Sequence, residues 1–125
     1  MQMISSLDWH AAALNTKFDG RCVIDGQRSD AASGETFAKH SPIDGRLLGP
    51  VARGRETDIN AAVTSARIAF ESGRWSRQAP AARKRVLQRF AEKILAAKEE
   101  LALLETLDMG KPIQFSLSVD VPSAA

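Results

Sequence analysis

The chain has 125 residues, 44% hydrophobic and 26% charged, which fits one soluble globular domain and excludes a disordered or fibrous chain. With 17 basic against 15 acidic residues the net charge is only +2, so no nucleic-acid partner is demanded. The single cysteine, Cys22, excludes an intramolecular disulfide and points to a reducing, cytoplasmic setting.

At the N-terminus, Met1 to Leu14 carries no basic leading segment, and Asp8 and His10 interrupt its apolar residues, so no secretory signal is expected. No apolar run approaches the ~20 residues of a membrane-spanning helix. Asp8 to Leu14 reads as a short helix and Asn15 to Gly20 as a polar linker. Cys22-Val23-Ile24 follows as a strand, and Asp25-Gly26 is a hairpin-turn signal. After the Ser33-Gly34 turn a second strand is predicted over Thr36 to His40. Ser41-Pro42-Ile43-Asp44-Gly45 is a further turn, with Pro42 setting φ and Gly45 supplying a permissive backbone. Leu47-Leu48 and Val51-Ala52 predict one more strand, broken at Gly49-Pro50; a proline that cannot donate to a ladder places it at an edge or a bulge.

Helices take over after Gly54. Thr57 or Asp58 is expected to cap the first, and Ile59, Ala62, Val63, Ala66, Ala69 and Phe70 form its apolar stripe before Gly73 ends it. Pro80 suits the first turn of the next helix, in which Val86, Leu87, Phe90 and Ile94 oppose Arg83, Lys84, Arg89 and Lys93. The stripe loses phase near Ala97-Lys98 and resumes as Leu101, Leu104 and Leu107, with Leu103 alongside, until Gly110 and Pro112 stop it. Two segments joined by a slight bend are predicted. Asp120-Val121-Pro122 reads as the cap and first turn of another helix, yet Ala125 is the last residue. A helix of three or four residues is not stable alone, so the pattern reads as an interrupted chain.

Few residues offer chemistry. Cys22 sits on a predicted strand with no base in evidence, and a packed, inert thiol is the expected reading. His10 and His40 lack a Cys or Glu at ligand spacing, so no zinc site is expected. Arg83-Lys84-Arg85 with Arg89 lacks interleaved aromatic rings and reads as a solvated helix face, without nucleic acid as partner. Asp108 stands out: a carboxylate in the last turn of a helix opposes the helix dipole, and a nearby positive charge should offset it. The sequence leaves two candidates open, Lys111 and a bound cation.

The run Leu104-Glu105-Thr106-Leu107-Asp108-Met109-Gly110-Lys111-Pro112 resembles the L-E-T-L-D-x-G-K-P signature of the aldehyde dehydrogenase superfamily. Val23 to Gly26, Thr36-Phe37, Ser41-Pro42 with Gly45, and Ala61 to Phe70 followed by Trp75 resemble the family's preceding strands, turn and helix in order and spacing. Glu100 to Leu104 running into the signature, then Ser116-Leu117 and Asp120, is most similar to the γ-glutamyl-γ-aminobutyraldehyde dehydrogenase sub-family. Ser41 departs from the family's usual Asn, and Pro50 falls in a strand normally free of proline.

The resemblance implies an α/β fold. Residues 21–125 would be the N-terminal part of a Rossmann-like NAD(P)-binding domain, with short antiparallel strands followed by helices, ending before the parallel sheet. Residues 1–20 would be an extension. The implied activity is oxidation of an aldehyde, from a polyamine-derived ω-aldehyde of putrescine catabolism, to a carboxylic acid with NAD or NADP, in a homo-oligomer when full length. The family's nucleophilic cysteine, its glutamate, its oxyanion-stabilising asparagine and its glycine-rich cofactor loop all correspond to positions past Ala125. The resemblance therefore assigns no catalytic and no cofactor-binding residue here. It does imply a Na+ or K+ site at the Asp108 carboxylate with the backbone carbonyls of Lys39 and His40. Apolar side chains that the absent sheet would cover each forfeit about 1.5–3 kcal/mol, so the isolated chain is expected to be marginally stable. A non-catalytic module that pairs with full-length dehydrogenase subunits is the alternative.

Overall fold

The computed structural model describes residues 8–125; the first seven residues of the expected extension lie outside them. Helix α1 spans Trp9–Asn15, and the Asp8 carboxylate caps it by accepting from the amides of His10 and Ala11 at 3.0 and 3.1 Å. The short helix expected at Asp8 to Leu14 thus exists, shifted by one residue because Asp8 serves as the cap.

Two antiparallel ribbons follow. Strand β1 (Cys22–Ile24) pairs with β2 (Gln27–Ser29), a partner with no apolar pattern of its own. The turn between them places Asp25 at φ +51° and Gly26 at φ +72°, the left-handed pair that a two-residue hairpin requires. An exposed ion triad braces the entry to this ribbon: Asp19 accepts from Arg21 at 2.7 and 2.9 Å and from Arg28 at 2.7 Å. The Arg21 guanidinium, then that of Arg28, holds the Asp19 carboxyl well below the usual carboxylate range. Strand β3 (Thr36–His40) pairs with β4 (Leu47–Ala52), and β4 runs unbroken through Gly49-Pro50. The register shifts between Lys39, opposite Gly49, and His40, opposite Leu47, so the extra residue is Leu48 and the bulge expected around Gly49-Pro50 lies on β4 itself. In a two-stranded ribbon every strand is an edge, so Pro50 opposite Ala38 leaves no inner ladder broken.

Residues 8–20 are tied to the second ribbon. Gly20 forms a parallel bridge with Val51, its carbonyl accepts from the Ala52 amide at 2.8 Å, and Arg46 Nη2 donates to the Ala13 carbonyl at 3.0 Å.

Helix α2 (Glu56–Glu71) starts two or three residues earlier than a cap at Thr57 or Asp58 would allow. Arg55 occupies the cap position, and Asp58, three residues inside, reaches back to accept its amide at 2.9 Å. The other Asp58 oxygen accepts from the Ala32 amide at 2.8 Å, which ties the loop after β2 to the start of α2. Asp58 is buried among these donors. The two amides, that of Arg55 first, lower its pKa. A depressed carboxylate contributes stability that is fully present above its unfolded value, here 3.8, and is lost as pH falls through the folded value. The stability difference between the wild type and Asp58→Ala, followed by denaturant titration, should therefore be largest above pH 3.8 and shrink below it. A difference that ignores pH would sink this account.

Gly73 takes φ +77° just past the end of α2, as expected of a terminating glycine. Helix α3 (Pro80–Ala96) opens on Pro80, and α4 (Lys98–Met109) follows directly. The predicted bend is Ala97, whose φ −96° and ψ 17° leave the helical region.

The final stretch corrects the sequence reading. Helical structure begins after Pro112, with α5 (Ile113–Phe115), passes through a π-helical segment (Ser116–Asp120) and ends in α6 (Val121–Ala124). Asp120 has helical dihedrals, φ −68° and ψ −55°, so it is not a helix start, and the interrupted-helix argument built on it loses its footing. Its carboxylate is engaged by Lys111 instead of by backbone amides. In the π segment the Val121 amide donates five residues back, to Ser116. That wider turn directly precedes Pro122 and opens the space in which its ring would meet the preceding carbonyls.

The core forms where α4 meets the π segment and α6: Ala102, Leu103, Leu107 and Val121 are buried there. Within α4 the buried side is therefore Ala102, Leu103 and Leu107, while Leu101 is exposed and Leu104 half-buried. The predicted stripes of α2 and α3 are left open. Ile59, Val63 and Phe70 on α2 and Val86, Leu87 and Phe90 on α3 are all more than half exposed. Their amphipathic spacing is genuine, but no described element covers it. No helix among the described residues is long and apolar enough to cross a membrane.

Candidate functional site

The end of α4 carries the nonapeptide Leu104 to Pro112, and Thr106, Leu107, Asp108, Gly110, Lys111 and Pro112 each have an identifiable task. Leu107 enters the core. Thr106 Oγ1 lies 3.4 Å from Ser116 Oγ, and Ser116 is completely buried, so one hydroxyl satisfies the other. Gly110 takes φ +79° and receives the helix end, its amide donating to the Thr106 carbonyl at 2.9 Å. A Cβ at Gly110 would meet Pro42 Cγ at 3.2 Å, so the glycine also lets the turn after β3 approach closely. Pro112 then leads into α5. The motif is a joint that aims the chain from α4 into the next helix while touching the β3–β4 turn.

Two ion pairs hold that joint. Lys39 Nζ lies 2.9 Å from Asp108 Oδ1, and Lys111 pairs with Asp120. Asp108 is thus offset by a charge from β3. The candidate partner Lys111 is corrected: its ammonium faces the π segment, where Asp120 is the less exposed of the two acids. The structure brings Asp108 and the Lys39 side chain together, a pairing no local sequence signal announces. His40, a candidate through its backbone carbonyl, uses its ring in the turn: Nδ1 lies 3.0 Å from the Gly45 carbonyl. Ser41, standing where an Asn is usual in the resembled family, is buried and accepts from the Ile43 amide at 3.3 Å. A short hydroxyl performs the turn-closing task there.

Cys22 is a half-buried free thiol on β1. Among the described residues no group of three or more His, Cys, Asp and Glu side chains is placed to hold a metal. Lys84, Arg85 and Arg89 are exposed on α3, whereas Arg83 is half-buried beside Trp75, Pro80 and Leu87 in a shallow groove.

The aldehyde dehydrogenase family model matches residues 29–125. The NADP/NAD-dependent aldehyde dehydrogenase PuuC of Escherichia coli (strain K12) is 46% identical over 117 residues, 94% of this chain and 24% of that protein. The γ-glutamyl-γ-aminobutyraldehyde dehydrogenase from Burkholderia cenocepacia J2315 superposes with TM-score 0.91 at 50% identity, over 94% of this chain and 24% of its own. The P. syringae indole-3-acetaldehyde dehydrogenase AldA, solved as a mutant with NAD+ and IAA, superposes with TM-score 0.90 at 57% identity, over 92% and 23%. The chain spans about a quarter of the length of these relatives. Its ribbons, helices and α4 joint are those of their N-terminal segment, and the chain belongs to the aldehyde dehydrogenase family.

Proposed function

We propose that this chain is the N-terminal layer of an NAD(P)-dependent aldehyde dehydrogenase that oxidises a polyamine-derived ω-aldehyde to its carboxylic acid in the cytoplasm. The observation that carries the reading is the intact α4 joint within a match that runs from residue 29 to 125. The NAD+ held by one similar structure supports the cofactor class, and a γ-glutamyl-γ-aminobutyraldehyde dehydrogenase among the relatives supports the substrate class. In the family's reaction a thiolate adds to the aldehyde carbonyl, hydride passes to the nicotinamide, and water releases the acid. Within these residues the only thiol is Cys22, on a three-residue strand of the first ribbon. The chain alone is therefore expected to give no aldehyde-dependent absorbance of NADH or NADPH. Turnover by the purified 125-residue chain would overturn the reading. The coding sequence past Ala125 supplies the second half of the test. A frame that continues into a glycine-rich loop and a cysteine, and whose product prefers γ-glutamyl-γ-aminobutyraldehyde to indole-3-acetaldehyde, supports it. The opposite preference removes the polyamine assignment.

A second reading is a non-catalytic module that pairs with full-length dehydrogenase subunits. It is favoured by the uncovered apolar rows of α2 and α3, in which Ile59, Phe70 and Phe90 are 60%, 63% and 61% exposed. Co-expression with a full-length subunit decides it: a stable, stoichiometric complex supports pairing, and a chain that elutes alone removes it.

A further inference from the structure

We propose that Asp25 is a site of spontaneous isomerisation to isoaspartate, and that the fold protects Asp44, which stands in the same local sequence. The inference is independent of the activity proposed above.

The chain carries two Ile-Asp-Gly steps, Ile24-Asp25-Gly26 and Ile43-Asp44-Gly45. In such a step the glycine amide nitrogen can attack the aspartate Cγ, because no side chain on the glycine obstructs the approach. The N–Cγ bond forms, and the hydroxyl of the protonated carboxyl leaves as water with the amide proton. Water then reopens the five-membered imide. Addition at Cγ restores aspartate. Addition at the former backbone carbonyl breaks its bond to nitrogen and leaves isoaspartate, with the chain running through Cβ and Cγ. Water is the only co-reactant, lost once and regained once. The residues on either side of the aspartate are the same at both steps, so only their surroundings differ. Both aspartates are exposed, and a Cβ on either glycine would meet nothing within 4 Å, so solvent reaches both.

Hydrogen bonding separates them. The Gly45 amide, the nucleophile at the second step, donates to the Ser41 carbonyl at 2.9 Å. Asp44 Oδ1 accepts from the Arg46 amide at 3.1 Å, and the Ser41 amide closes the turn by donating to the Arg46 carbonyl at 2.9 Å. At the first step the Gly26 amide donates to no group among the described residues, and the Asp25 carboxylate enters none of their hydrogen bonds or ion pairs. Arg21 and Arg28 of the same ribbon are engaged by Asp19 instead. Asp25 is also the one non-glycine among the described residues with a positive φ, +51°, and ring closure rotates it out of that turn about ψ. Opening the ribbon costs little: β1 and β2 have three residues each, β2 is exposed throughout, and a lone two-stranded hairpin is marginal in water. Reaction at Asp44 must first break two hydrogen bonds, which slows it about 5- to 150-fold relative to Asp25. Isoaspartate adds one backbone atom to a two-residue turn, so Ile24 and Gln27 cannot keep their pairing.

The test ages the whole chain in warm neutral buffer. Trypsin then releases Cys22–Arg28 and His40–Arg46, with one step in each. Their isoaspartyl forms have unchanged mass, are separated by chromatography, and are confirmed by methylation with an isoaspartyl methyltransferase. Each native rate is divided by the rate of the same peptide in chain aged in denaturant. The ratio for Cys22–Arg28 is expected to exceed that for His40–Arg46 by about 5- to 150-fold. Hydrogen exchange at the Ile24 and Gln27 amides should quicken as isoaspartate accumulates. Similar ratios, a larger ratio at Asp44, or an Asp25 that reacts only in denaturant would overturn the proposal. Asp25→Glu, whose ring would have six members, should silence the first peptide and leave the second unchanged; a signal that persists would also overturn it.

Discussion

Leu107→Ala is expected to cost about 2–5 kcal/mol, a large part of the stability of a domain this size, typically about 5–15 kcal/mol. Leu107 is 5% exposed and sits with Leu103, at 7%, and fully buried Ala102 where α4 meets the π segment and α6. Deleting its branched end removes transfer energy and leaves a cavity in the buried side of α4, which packs on the π segment and α6. Phe90→Ala makes the informative control. It removes a larger side chain, but one on the open face of α3, and should change stability by no more than about 0.5 kcal/mol. Denaturant titrations of both variants measure the contrast. An inverted order, with Phe90→Ala the more damaging, would mean that the core lies on α3 and not on α4.

Gly20→Ala is expected to release residues 8–20 from the second ribbon at a cost of about 1–3 kcal/mol. The reason is space. A Cβ at Gly20 would stand 2.7 Å from Val51 Cα and collide with the Pro50 carbonyl oxygen, and backbone atoms of a paired strand cannot swing aside as a long side chain can. Either β4 shifts against β3, or the bond from the Ala52 amide to the Gly20 carbonyl breaks. Hydrogen exchange should show the Ala52 amide losing protection in the variant. Limited proteolysis should find new cleavage in the Asn15 to Gly20 stretch. Unchanged protection at Ala52 would show that the ribbon absorbs the methyl group and that the bridge is dispensable.

These two sites separate what can be read along a chain from what cannot. Leucines at helical spacing fill α4, yet spacing alone left Leu101, Leu103, Leu104 and Leu107 almost equivalent; docking of the π segment and α6 selected Leu103 and Leu107. Gly20 looked like the end of a polar linker, and only the approach of β4 explains its lack of a side chain. Asp120-Val121-Pro122 matched a helix-start pattern, but a cap signal acts only when the carboxylate is free to meet backbone amides, and Lys111 had already engaged it.

The sequence by itself determined the local punctuation of this protein and its family. Asp25-Gly26, Gly73, Pro80 and Gly110 act through backbone sterics within a few residues, so their effects are legible without a fold. The nonapeptide was recognisable because its residues, Leu104 to Pro112, are contiguous in the chain and match the family signature in sequence. Only the tertiary structure decided the partners. Lys39 meets Asp108, Asp58 meets Ala32, and α4 is covered while α2 and α3 are left open, because these outcomes depend on which elements dock and not on what any one element contains.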